Sequence, residues 1–158
     1  MRAKSATVRK VLGDAKYNSI EVSKLINRVM LDGKKSVAEK QVYKAIELIA
    51  TKTKQDGLEA LKTALAVIAP KMEVRSRRIG GAAYQVPMPV SPRRQFSLAI
   101  RWLVTCAESR TNKDYHSFGE KLAAEVVDAL NNTGGAIKKR DDIHRMADAN
   151  KAFSHFRW

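Results

Sequence analysis

Cysteine, proline and acidic side chains are scarce in this chain of 158 residues, and each scarcity excludes something. Cys106 stands alone, so no intrachain disulfide can form, and its apolar neighbours read it as a buried, unreactive thiol rather than a nucleophile. No apolar run reaches the roughly 20 residues of a bilayer span, and the first residues show no apolar signal region, so a reducing, cytosolic setting is the expectation. His116, His144 and His155 find no second ligand at metal spacing except Asp141, three residues before His144. Surface pairing accounts for them better than a metal site. Only 16 Asp and Glu stand against 30 Lys and Arg, a formal charge of +14 with an isoelectric point near 10.1. That balance points to nucleic acid or an anionic surface.

The charge is unevenly spread. Residues 71–101 hold seven basic side chains and one acidic, and residues 1–16 hold five and one. The remaining 111 residues carry 18 basic and 14 acidic side chains, the balance of an ordinary helical body with two cationic attachments. A chain of this length fits one domain and buries roughly 70% of the surface its unfolded form exposes.

Periodicity outlines the body. Residues 1–16 have no sustained period and read as a basic arm that orders on a partner. Helix one is expected over residues 19–31, with Val22, Leu25, Ile26, Val29 and Met30 on one face and Gly33 as its stop. Helix two opens with a capping-box pattern, Ser36 to Glu39, and buries Val42, Ala45, Ile46 and Ile49. Asp56 and Glu59 start helix three, whose Leu58, Leu61, Leu65 and Ile68 face inward until Pro70. Ser91 and Pro92 open helix four, apolar almost all round to Ser109 and so the expected central helix. A second capping box, Ser117 to Glu120, begins helix five, with Phe118, Leu122, Val126 and Leu130 inward. Helix six covers residues 136–150, and residues 151–158 form a tail mixing aromatic and basic side chains, suited to stacking on unpaired bases.

Between helices three and four the period changes from 3.6 to 2. Met72, Val74 and Ser76 alternate with Glu73, Arg75 and Arg77; Gly80-Gly81 supplies a tight turn; Tyr84, Val86 and Met88 resume the alternation. Residues 71–90 therefore read as a basic β-hairpin. Edge strands often carry cations merely to prevent aggregation, but that role favours Lys. Here Arg75, Arg77 and Arg78 supply guanidinium forks that match phosphate. Strands of about eight residues reach roughly 25 Å, so the hairpin is expected to project and to gain order by docking on a partner. Gly33-Lys34-Lys35-Ser36 ends like a phosphate-binding loop, yet Arg28 stands where that motif needs its first glycine. No catalytic constellation emerges, and nothing calls for a cofactor or a small-molecule substrate. A membrane-surface role is excluded because the helices spend their apolar faces on one another.

Several blocks resemble a known family. Residues 70–82 (Pro-Lys-Met-Glu-Val-Arg-Ser-Arg-Arg-Ile-Gly-Gly-Ala), 84–87 (Tyr-Gln-Val-Pro), 98–103 (Leu-Ala-Ile-Arg-Trp-Leu) and 144–153 (His-Arg-Met-Ala-Asp-Ala-Asn-Lys-Ala-Phe) are similar to the signature blocks of bacterial ribosomal protein seven of the small subunit. Residues 32–36 and 134–140 match further blocks, and the resemblance runs in order along essentially the whole chain. It implies a mainly α, single-domain bundle of six helices with one protruding basic hairpin, a structural constituent of the ribosome and not an enzyme. It also implies direct binding to the 3′ major domain of small-subunit ribosomal RNA, nucleation of the head, and proteins nine and eleven of that subunit as partners. The RNA surface carried over by the match comprises Arg2, Lys4, Arg9, Lys10, Lys34, Lys35, Arg75, Arg77, Arg78, Arg93, Arg94 and Arg101. The hairpin tip (Ile79, Gly80, Gly81) and the C-terminal Lys151, Arg157 and Trp158 are expected near the exit-site transfer RNA and the messenger RNA path. One alternative competes, an architectural DNA-binding protein with a basic β-arm; a second role as repressor of its own messenger is compatible with ribosomal RNA binding.

Overall fold

Six α-helices and one antiparallel pair of strands account for most of residues 9–156, the residues described by the computed structural model. Arg2, Lys4, Arg157 and Trp158 lie outside the described residues. Helix α1 (Ile20–Val29) buries Val22, Leu25 and Ile26, the stripe that its 3.6-residue spacing predicts. Asp32 and Gly33, at φ of 52° and 73°, then turn the chain into α2 (Lys35–Thr53). The turn starts the helix two residues earlier than the expected Ser36 cap. Lys34 becomes the N-cap, without a side-chain cap, and Ser36 falls inside the first turn, so the predicted capping box does not form. Glu39 reaches Lys35 instead, at 3.6 Å.

Helix α3 (Gly57–Ile68) starts as its cap residue predicts, with Asp56 Oδ1 accepting from the Leu58 amide at 3.3 Å. Strands β1 (Met72–Ile79) and β2 (Ala82–Pro89) follow, then α4 (Pro92–Ser109), α5 (Phe118–Leu130) and α6 (Gly135–Ala149). The central place falls to α5 as much as to α4, because α5 packs on α2, α3, α4 and α6. Small residues explain it. Ala123 and Ala129 are fully buried, and a Cβ at Gly119 would lie 2.8 Å from the Gln41 carbonyl of α2. The Gly119 amide donates to Gln41 Oε1 at 2.9 Å across that contact. Trimming a fully buried core side chain such as Leu103 to alanine costs about 2–5 kcal/mol at sites of this kind.

Carboxylates clamp the chain's turns to this core. Glu125, 2% exposed, accepts from Arg110 Nη2 at 2.5 Å and from the Ala136 amide at 2.8 Å, tying the α4–α5 loop to the start of α6. Asp128 binds the same guanidinium, and Lys121 Nζ donates to the Arg110 carbonyl at 2.5 Å. Before α1, Asp14 is buried. Burial pushes its carboxyl up, but Tyr43 and the amides of Tyr17 and Lys16 more than offset this and leave it below the ordinary range. Lys16 pairs with Glu47 at 2.7 Å. The arm expected over residues 1–16 is thus already fastened to α2 from Asp14 onward. Its ordering there needs no partner.

Candidate nucleic-acid interface

The hairpin forms in the expected register. Ile79 pairs with Ala82 across a two-residue loop, and Gly80 and Gly81 take φ of 57° and 93°, both positive as the type I′ class requires. A Cβ at either glycine would meet nothing within 4 Å, so backbone conformation and not crowding selects glycine there. Opposed residues share a face. Arg75 stands across from Val86 and Arg77 from Tyr84, whereas Arg78 stands across from Ala83 on the other face. The three arginines grouped by sequence are therefore divided between two sides of the ribbon.

The hairpin is docked on the body at its root and along β2 as far as Tyr84. Val90 donates its amide to the Lys71 carbonyl at 3.1 Å, the Lys71 amide donates to His144 Nε2 at 3.0 Å, and Val86 and Glu73 are buried at the root. Both strands rest on α6, and β2 also rests on a short 3₁₀ turn, Lys151–Phe156. The expectation of a free C-terminal tail is corrected here. Tyr84 meets Phe153 and Phe156 with ring centroids 5.2 and 5.8 Å apart, so these aromatic side chains are spent on the hairpin rather than offered to bases. Lys151 is exposed in the same turn. The expectation that the hairpin orders on an external partner therefore falls for its root, where the chain's own α6 and 3₁₀ turn supply the docking surface.

Glu73 joins hairpin and body. Its Oε1 accepts from Arg75 Nε and its Oε2 from Arg94 Nε, both at 2.6 Å. Burial pushes this carboxyl up, yet hydrogen bonds from Arg94 and Arg75 outweigh burial and hold it below the ordinary carboxylate range. Two cations assigned to RNA are thus half neutralised within the protein.

Beside this junction lies a cleft with no carboxylate among its described lining residues. Arg93, next to Arg94, and Arg101 from α4 face Lys24 and Arg28 from α1 across about 350 Å³. Ile100 and the half-buried Phe96 form its floor, and the exposed Asn27 and Ser97 complete its wall. Lys24 Nζ sits 4.8 Å from the Phe96 ring centroid. None of the four cations is in an ion pair among the described residues. Sequence reading missed Lys24 and Arg28. The available signal was their i, i+4 spacing on the face of α1 opposite Val22, Leu25 and Ile26.

The other predicted cations stand apart from the cleft. Arg9 and Lys10 are exposed ahead of α1, and Lys34 and Lys35 are exposed at the start of α2, with Lys34 beside an apolar groove formed by Leu31, Val37 and Phe118. At the second predicted capping box, before α5, Ser117 is the N-cap but makes no side-chain cap. Its hydroxyl accepts from Lys44 Nζ at 3.0 Å, while Glu120 accepts from the His116 amide at 3.0 Å. Hydrogen bonds from Lys44, Ser117 and that amide lower the Glu120 carboxyl to about 2. Burial pushes the half-buried Cys106 thiol up, which opposes thiolate chemistry. Among the described residues no helix is long and apolar enough to cross a membrane, and no group of three metal-ligating side chains comes together.

The fold and its cationic cleft can be set beside known proteins. Residues 1–151 match the family described as ribosomal protein S7p/S5e. Small ribosomal subunit protein uS7 of Dictyoglomus thermophilum is 59% identical over 152 residues, covering 96% of each chain. The protein of that name from Thermosipho africanus is 57% identical over 158 residues, covering the whole of both. On that match along essentially its full length, the chain belongs to the ribosomal protein S7p/S5e family and is a structural, non-enzymatic ribosomal protein.

Proposed function

We propose that the chain acts in the small subunit as a primary binder of ribosomal RNA, holding the 3′ major domain and nucleating assembly of the head. Its hairpin tip and C-terminal turn lie near the exit-site transfer RNA and the messenger path, and its protein neighbours are proteins nine and eleven of that subunit. One observation carries the reading. Arg93 in the carboxylate-free cleft adjoins Arg94 at the Glu73 junction, so cationic surface continues from α1 and α4 onto the hairpin. A rigid helical face joined to a basic ribbon can hold two RNA helices in one relative orientation while releasing their counterions. Charge supplies affinity and shape supplies specificity. The architectural DNA-binding alternative is disfavoured at the tip, where Gly80 and Gly81 offer no apolar wedge to kink a base step.

Filter binding of the full chain to a transcript of the 3′ major domain, against double-stranded DNA of equal length, tests this. The transcript should win, with affinity falling by orders of magnitude between about 50 and 200 mM salt. Arg77→Ala with Arg78→Ala should flatten the salt slope by about two units. Preference for DNA, or an unchanged slope, overturns the reading or the hairpin's part in it respectively.

A further inference from the structure

We infer that the cleft between α1 and α4 takes one unpaired nucleotide of the bound RNA, base as well as phosphate, rather than a length of duplex backbone. This rests on the RNA-binding reading above and names the form of RNA that the site takes. A surface that only neutralised a duplex would need cations on an open face and nothing more. Here Lys24, Arg28, Arg93 and Arg101 surround a recess of about 350 Å³, near the lower end of the roughly 300–1,000 Å³ that small-ligand clefts span. Such a recess suits a monomer and is too small for a helix.

The recess is floored by carbon. Ile100 is 4% exposed and Phe96 is half buried, so an apolar, partly aromatic surface lies at the bottom of a cationic ring. Phosphate gains nothing from such a floor. A base splayed out of single-stranded RNA gains by lying against it, as unpaired bases do on aromatic side chains elsewhere. Lys24 above the Phe96 ring fixes one side of that ring and sets a cation beside the seat. Asn27 and Ser97 are exposed at the wall, and neither side chain makes a hydrogen bond among the described residues. An amide and a hydroxyl can each donate and accept, which is what a base edge demands. The two helices that form the seat are rigid, since Leu25, Ile26, Ala99 and Leu103 fix them in the core.

The test uses three probes on the full chain: a single-stranded RNA hexamer, an abasic hexamer of equal charge, and a duplex of the same length. Affinity and the side-chain NMR signals of Phe96 and Asn27 are followed at fixed salt. The hexamer should shift both signals and bind about tenfold tighter than its abasic counterpart, a difference of the size that stacking one base supplies. Phe96→Leu should remove most of that tenfold, so that the variant binds the hexamer and the abasic probe nearly alike. Should Phe96→Leu lower the melting temperature, Asn27→Ala and Ser97→Ala at exposed positions serve instead and should each weaken hexamer binding about threefold. Equal affinity for hexamer and abasic probe, or stronger binding of the duplex, overturns the inference. Binding of the 3′ major domain transcript with its steep salt slope would survive that result. Loss of transcript binding would instead count against the proposed function, whichever probe the cleft prefers.

Discussion

Arg110 and Arg93 carry the same side chain in opposite circumstances. Arg110 lies 18% exposed between Glu125 and Asp128, donates to the Tyr115 hydroxyl, and has its guanidinium held protonated far above any working pH despite burial. Arg93 is exposed on a cleft without a carboxylate and makes no ion pair among the described residues. Arg94 and Arg75 fall between them, exposed yet sharing Glu73. The gradient separates cations that hold the fold from cations left for a polyanion. In a chain of charge +14, each carboxylate's position decides which is which.

The largest effect should come from the paired end. Glu125→Ala leaves the partly exposed Arg110 guanidinium to Asp128 and Tyr115 alone and frees the Ala136 amide at the start of α6, and the lost hydrogen bonds and buried volume cost about 2–4 kcal/mol. Thermal unfolding should show a loss of many degrees. RNA affinity measured well below the new transition should stay within about twofold, because the network lies outside the cleft. A drop in affinity at temperatures where the variant is folded would break the division between structural and functional cations.

Aromatic side chains repeat the contrast at smaller scale. Phe153 and Phe156 lie against Tyr84, whereas Phe96 floors the open cleft. Replacing both Phe153 and Phe156 by alanine should loosen the hairpin by about 2–3 kcal/mol of local opening, counting about 0.5–1.5 kcal/mol for each aromatic pair together with lost apolar burial. Hydrogen exchange of strand amides near Tyr84 should accelerate by about 30- to 150-fold. Exchange in α1 and α4 should not change. Uniform acceleration would mean that the C-terminal turn braces the whole body and not the ribbon alone.

Local chemistry was legible before any coordinates. The Gly80-Gly81 turn, the Asp56 cap and the apolar stripes of α1 to α3 depend on neighbours within a few residues, and each forms as read. Reading failed where two grammars compete, as at Ser36, whose capping pattern lost to the Asp32-Gly33 turn just before it. It failed again where contacts span the chain. Lys24 and Arg28 become a site only because α1 packs on α4, some seventy residues later, and the 151–158 segment looked free because nothing local announces Tyr84 as its partner. Charge counting found Arg93 and Arg101 but could not tell them from Arg94, since the difference is Glu73, a residue on another element.

That single carboxylate gives the smallest and most discriminating test. Glu73 has a folded-state value below its ordinary 4.5, so it contributes stability above that value and loses it as pH falls through the lowered one. Glu73→Gln should reproduce the acid form at neutral pH. One charge-assisted bond weakens while the amide oxygen still accepts another, so the cost should be about 1–2 kcal/mol. The arginine that loses its acceptor, Arg75 or Arg94, is released at the same time toward phosphate. With one negative charge removed beside the proposed RNA surface, transcript affinity near 50 mM salt should rise about two- to fivefold, and the gain should shrink by about 200 mM as screening shortens its reach. Weaker binding would mean that Glu73 acts chiefly by aiming the two guanidinium groups. The paired arginines would then already be set for RNA, and the gradient from Arg110 to Arg93 would be one of geometry rather than of charge.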